Sequence, residues 1–291
     1  MSEYVIVTDS SCDLNQQMVE EIGVEVLPLT FTIRGTTLKN YPDDRDMGAH
    51  EFYQLMSEGE MVTTAAVNEH QYEEFLTPVL ESGRDALILA FSSGLSATCQ
   101  SARLAAGELA ERFPERKILV VDTLCASLGQ GLLVWYAAEK QKAGASIEEV
   151  RDWCEANKLH ICHWFTVNDL HYLKRGGRIS AATAVVGTML QIKPVLHMDN
   201  EGHLVNVSKA RGRKASLDAM VKQVGERGID PAGQERMLIS HSACEEDARY
   251  IADQIRDQYG VKEVLLNRIG PVIGAHTGPG CVALFFIGTE R

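Results

Sequence analysis

Five short clusters of hydroxyl, small and charged residues carry the chemistry open to this chain, and each follows an apolar, strand-like run. Thr8-Asp9-Ser10-Ser11-Cys12-Asp13-Leu14 sets hydroxyls and acids between a strand and a helix. Such residues cap helices by accepting from the first free N–H groups, and they can also face a ligand. Thr63-Thr64-Ala65-Ala66-Val67-Asn68 places two hydroxyls before an apolar triplet and a helix. Ser92-Ser93-Gly94-Leu95-Ser96 precedes a long helix. There an anion has a place: the helix start offers unpaired N–H groups, Gly94 admits close approach, and Ser92 and Ser93 add neutral donors. A plain, well-capped helix accounts for the same residues. Lys174-Arg175-Gly176-Gly177-Arg178 puts three cations around a glycine pair, a tight turn that would aim them, and Lys209, Arg211, Arg213 and Lys214 form a second basic cluster. These suit a phosphate group, an acidic partner surface, or solvated helix-end charge. His276-Thr277-Gly278-Pro279-Gly280 presents a His and a Thr from a rigid glycine–proline turn, where the imidazole can donate to a carboxylate or phosphate. A structural histidine is the plain alternative.

The elements that must hold these clusters are legible as alternating patterns. Residues 4–8, 24–33 (carrying Pro28), 86–91 and 117–122 read as strands. Residues 14–22, 47–56, 69–80, 97–113, 128–142 and 147–157 read as helices, the last opened by a capping box from Ser146 to Glu149. Continuous apolar strands alternating with helices predict a parallel sheet covered on both faces, a three-layer α/β domain. Beyond it the strand-like runs are 160–167, 195–198, 203–207, 236–240, 264–267 and 282–287, with helices at 213–227 and 245–259. This predicts a second α/β domain with a mixed or antiparallel sheet, so the expected division is 1–157 and 158–291.

Composition excludes several classes. The 291 residues are 45% hydrophobic and 23% charged, ordinary for a globular chain, and longer than one core usually holds. With 28 Lys+Arg against 40 Asp+Glu the net charge is −12, which opposes non-specific nucleic-acid binding. No apolar run approaches the roughly 20 residues of a membrane span. Met1-Ser2-Glu3-Tyr4 is acidic and does not read as a signal peptide. Seven scattered cysteines without CxxC fit a reducing cytoplasm. There is no GxxxxGK[ST], no strand-linked GxGxxG, no HExxH and no GxSxG. Cys154, His160, Cys162 and His163 lack zinc spacing and read as structural, so no metal is expected.

Taken in order, the clusters resemble the DegV family along essentially the whole chain. Thr8 to Leu14 is similar to its TDSxxDL opening, and Ser92 to Ser96 to its SSxLS loop. Asp122-Thr123 with Ser127-Leu128-Gly129-Gln130-Gly131 resembles VDS…SxGxG. Tyr172-Leu173-Lys174-Arg175-Gly176-Gly177-Arg178-Ile179 resembles YLKRGGRI, and His276 to Gly280 resembles HTGPG. Two stretches depart: the family's TSQPS is Thr64-Ala65-Ala66-Val67-Asn68, and its GTYQSA is Ala97-Thr98-Cys99-Gln100-Ser101-Ala102. The resemblance implies a cytoplasmic, bacterial lipid-binding protein, expected as a monomer, that buries one C14–C18 fatty acid between its domains. It would need no cofactor and do no catalysis of its own. An ATP-dependent kinase subunit would phosphorylate the carboxylate, in a two-component fatty acid kinase serving phospholipid metabolism. It also implies head-group contacts from Thr64, from Ser92 or Ser93, and from His276, with Thr63, Gly94 and Thr277 beside them. Arg175 and Arg178, with Lys209, Arg211 and Arg213, would support the head group or meet phosphate or partner. Burial of the acyl chain is worth about 0.8 kcal/mol per CH₂, enough to offset a hydrogen-bonded buried carboxylate. The competing expectation is a stand-alone enzyme acting on a small phosphorylated or acyl substrate.

Overall fold

The computed structural model of the chain describes residues 3–180 and 192–291; Met1 and Ser2, which open the acidic N-terminus, lie outside them. The first half runs β1 (Tyr4–Asp9), α1 (Gln16–Ile22), β2 (Glu25–Leu27), β3 (Thr30–Ile33), β4 (Thr36–Lys39), α2 (Ala49–Ser57), β5 (Val62–Ala65), α3 (Glu69–Glu81), β6 (Asp85–Ala90), α4 (Thr98–Arg112), β7 (Ile118–Asp122), α5 (Ser127–Lys142) and α6 (Ile147–Asn157). Strands β2-β1-β6-β7 form a wholly parallel sheet in that order. Its central strands are continuously apolar because both faces are covered. Val5, Val7 and Ile88 pack with Leu76 and Leu109 of α3 and α4, whereas Ile6, Leu87 and Leu89 pack with Leu132 of α5.

The second half runs β8 (Ile161–Thr166), α7 (His171–Arg175), β9 (Ile192–Met198), β10 (Leu204–Arg211), α8 (Arg213–Arg227), β11 (Met237–His241), α9 (Glu245–Tyr259), β12 (Val264–Arg268), α10 (Pro271–Thr277) and β13 (Val282–Ile287). Its sheet is ordered β10-β9-β8-β13-β11-β12, antiparallel except for the β11–β12 pair, so the sheet is mixed. Helices α8 and α9 cover one face through Leu217, Val221, Ile251 and Ile255. The other face, with Phe165, Leu196, Leu238 and Phe285, packs on α5 of the first half. A helix that meets two sheets must be apolar nearly all round, and α5 buries eleven of its residues. The expected division at 157/158 falls between α6 and β8. Among the described residues no strand pairing crosses it, but three hydrophobic clusters do: one through α5, one that joins Met198 and Val272 to the parallel sheet, and one that joins Ala275 to the small sheet.

Three local expectations are corrected. The single strand over 24–33 is two strands in different sheets. Pro28 has no N–H to give a ladder, so the chain leaves the parallel sheet after Leu27 and pairs again at Thr30 in an antiparallel sheet ordered β4-β3-β5. Thr63 and Thr64, read as loop, lie in β5 of that small sheet. His276 and Thr277, read as part of a turn, form the end of α10, and the glycine–proline turn begins only at Gly278. The small sheet packs on α2 and α10 through Phe31, Ile33, Phe52, Met56 and Ala275. That packing brings β5 to His276.

Candidate functional site

A cavity of about 240 Å³ lies where the two halves meet, walled by residues such as Phe91, Leu95, Leu173, Met198, Leu204 and Phe285. A water needs only ~10–15 Å³ in such a measure and two or more polar partners, so a space this large and apolar suits an apolar guest. Ala65 and Ala97 line it while remaining exposed, which places its mouth between β5 and the start of α4.

The polar part of the wall is built by three segments. Along β5 side chains alternate, so Thr64 faces inward with Val62 while Thr63 is exposed. Thr64 Oγ1 lies 2.8 Å from Nε2 of His276. The imidazole's other nitrogen, Nδ1, is buried without a partner against Gly176. A buried unpaired N–H would be costly, so the proton belongs on Nε2, which donates to Thr64 Oγ1. The Thr64 hydroxyl hydrogen is then free to point into the cavity. Burial, reinforced by Arg178 and Arg175, holds the His276 pKa down at about 4, so the ring is neutral at pH 7.

Arg178 supplies the positive charge. Its Nε donates to the Leu95 carbonyl at 3.1 Å and its Nη1 to the Gly176 carbonyl. Among the described residues no carboxylate lies within ion-pair distance of it. Burial lowers its pKa, the cost of a cation kept in an apolar wall without a counter-ion. The glycine pair before it is geometric: Gly177 has φ +70, and a Cβ on Gly176 would lie 2.1 Å from His276 Nδ1. Thr277 also lines the cavity, its hydroxyl bonded to the Ile273 carbonyl.

Other expected residues sit elsewhere. Ser92 is fully buried and donates to the Gly202 carbonyl at 2.9 Å; Ser93 is exposed. Gly94 allows the 199–202 turn to approach, since a Cβ there would lie 2.7 Å from the Gly202 oxygen. The serine of this loop on the cavity wall is Ser96. Arg175 is held by Met61 Sδ and the Tyr172 ring. Arg213 is tied to Asp247 and the Gly280 carbonyl, and Lys214 to Asp218 and Tyr250. Lys209 and Arg211 are exposed on β10, an edge strand. None of Thr63, Ser92, Ser93, Gly94, Arg175, Lys209, Arg211 and Arg213 lines the cavity.

Beyond Ser96, the sequence places neither of the polar lining residues Ser127 and His163 at a site. Ser127 starts α5 with φ 52 and donates to Asp13 Oδ2 at 2.5 Å, while Ser240 lies 2.9 Å away. Gly270 N–H gives Asp13 a second bond, yet burial pushes that carboxyl up to about 8. His163 contacts the Ile161 carbonyl through Nδ1 and accepts from Ala126 N–H at Nε2, and burial holds its pKa down at about 3. It does not converge with Cys154, His160 or Cys162 on a metal. Among the described residues the carboxylates close enough to share an ion are Glu69, Glu73 and Glu108, away from the cavity. No helix of the described residues is long and apolar enough to cross a membrane.

Comparison with known proteins places the fold. Over 99% of the chain and the whole of the other, the fold superposes with TM-score 0.87 and 33% identity on a Thermus thermophilus protein described as "Fatty Acid Binding of a DegV family Protein". It also matches, at TM-score 0.83, 21% identity and 98% and 99% coverage, the Streptococcus pneumoniae Fatty Acid Kinase (Fak) B3 protein loaded with linoleic acid, a likeness of fold. The DegV domain-containing protein CPE0026 of Clostridium perfringens is 43% identical over 100% of this chain and 99% of its own length. The family model described as "Uncharacterised protein, DegV family" matches residues 3–289, and the chain belongs to that family.

Proposed function

We propose that this protein holds one long-chain fatty acid in the cavity, between units 1–157 and 158–291, and presents its carboxylate to a separate ATP-dependent kinase that forms the acyl phosphate. The carrying observation is an apolar cavity whose polar wall holds the Thr64 hydroxyl, a neutral imidazole and an arginine that has no carboxylate partner among the described residues. The cation and the Thr64 hydroxyl together match a carboxylate. Arg178 already spends Nε and Nη1 on carbonyls, so it offers charge without a bidentate clamp, which leaves a carboxylate oxygen able to attack a phosphoryl group. The mouth lies beside that wall, where a phosphoryl donor can reach it. The fatty-acid-binding relative and the Fak B3 neighbour support this reading by analogy.

Mass spectrometry of an organic extract from purified protein tests it. One C14–C18 fatty acid per chain is expected, and Thr64→Ala and Arg178→Ala proteins should retain much less. Lipid-free wild-type protein, or variants as fully loaded as wild type, would remove the assignment. Acyl-phosphate formation on adding a fatty acid kinase subunit and ATP tests the second half.

A further inference from the structure

A second cleft, which shares no lining residue with the lipid cavity, opens between α2 and the carboxyl ends of β11 and β12. It encloses about 520 Å³, and His50, Tyr53, Gln54, His241, Glu245 and Arg268 are among its walls. β11 and β12 are the parallel pair of their sheet, and their register sets His241 beside Arg268 as the last residue of each. Ligands of α/β sheets bind beyond such carboxyl ends. The 15-residue α9 starts at the same place, and Cys244 before it gives no side-chain cap, so its first N–H groups are unpaired by side chains.

His241 points independently to a ligand. It is only 6% exposed, yet neither ring nitrogen makes a hydrogen bond among the described residues. Nδ1 is the nitrogen sealed from solvent, so Nε2 is the one that meets the cleft. An N–H on Nδ1 would be an unpaired buried donor; the proton therefore sits on Nε2 and faces outward. Burial lowers the pKa of His241, consistent with a neutral donor. The Arg268 side chain is exposed and likewise makes no hydrogen bond or ion pair among the described residues. Of the acids in the first α9 turn, Glu245 is 2.5 Å from Arg249 but also lines the cleft and faces His241 and Arg268, so a bound anion must sit on the far side of Arg268 from it; Asp247 is 2.7 Å from Arg213, leaving Glu246. Asp44 faces Arg268 from the other side, beyond ion-pair distance.

We infer that this cleft binds a phosphate group, free or carried as a small monoester, through the α9 N-terminus, Arg268 and His241. A guanidinium, an imidazole N–H and helix N–H groups approach from different directions, which suits a tetrahedral oxyanion. The space exceeds a bare phosphate and leaves room for an esterified group.

Isothermal titration of the full chain with inorganic phosphate and with glycerol 3-phosphate tests this, with acetate and chloride as controls. Phosphate binding is expected to shift the His241 Nε2 resonance in ¹⁵N NMR. Arg268→Ala should weaken it by at least about tenfold and His241→Asn by severalfold, with Arg268→Lys intermediate. Tighter binding of the ester identifies a monoester as the ligand; equal affinity identifies free phosphate. Arg268→Ala should keep its bound lipid, since Arg268 does not line the lipid cavity. Absence of phosphate binding at about 10 mM, or the same affinity in Arg268→Ala, overturns the inference.

Discussion

His276 carries the sharpest test of where the lipid head group sits. Its pKa of about 4 reflects burial and two nearby arginines. A carboxylate held at Thr64 and Arg178 would favour the imidazolium and raise that value. ¹⁵N NMR of lipid-free and loaded protein should therefore show His276 titrating at higher pH when loaded; identical titration would place the head group elsewhere. The same shift has a stability consequence. The unfolded ring takes its proton near 6.5 and the folded ring only near 4, so the unfolded state binds more protons between them. Stability of lipid-free protein is then fully present above pH 6.5 and falls as the pH drops toward 4, a slope His276→Gln should reduce. Asp13 acts with the opposite sign. Its folded carboxyl keeps its proton to about pH 8 while the unfolded one releases it near 4, so stability falls as the pH rises through that window. Urea unfolding at pH 5 and pH 8 should show a flatter dependence for Asp13→Asn than for wild type.

Among the elements, the short turn between α7 and Ile179 sets the site, because Gly176 is where the His276 ring lies against backbone. Gly176→Ala would put a methyl 2.1 Å from Nδ1 and push the ring off Thr64. Lipid retention should fall several-fold while the thermal transition stays cooperative; full retention would show that the Thr64–His276 contact is dispensable. Gly202→Ala is the structural counterpart. With φ +78 and a Cβ 2.1 Å from Ser92 Oγ, it should lose about 2 kcal/mol or more in chemical denaturation. This contrast marks what the chain reveals by itself. The large sheets were readable from β6, whose residues are all buried, and from the amphipathic helices between strands. The small sheet was not, since β4 and β5 are four-residue strands with exposed hydroxyls, and Pro28 hides the break inside one apolar run. Thr64 and His276 were readable as polar residues in small-residue settings. Their pairing across 212 residues depends on α10 packing against that small sheet. The difference between Ser92 and Ser96 depends on where the 199–202 turn docks, and no local pattern encodes that.

For the whole molecule, the lipid would complete a core that the protein leaves open. One cluster runs from Ile6 and Leu87 through α5 to Phe165 and Phe285, and the cavity of about 240 Å³ is bordered by the same Phe165 and Phe285. Empty apolar space costs about 24 cal/mol per Å³, and the open mouth between Ala65 and Ala97 reduces that to a few kcal/mol. A net charge of −12 repels a free carboxylate at long range, but beyond roughly 8 Å that field is screened at physiological salt. The local cation at Arg178 then decides the head-group end. Removing the lipid should lower the melting temperature by about 5–10 °C, given roughly 2–4 °C per kcal/mol for chains of this order of size, and adding fatty acid back should restore it. The loss should also be local. Hydrogen exchange should quicken in β5, residues 95–97 and α10, which border the cavity, while the centres of β6 and β11 stay protected. Faster exchange spread evenly over both large sheets would mean that the ligand supports the whole fold, and no change at all would mean that it does not occupy this cavity.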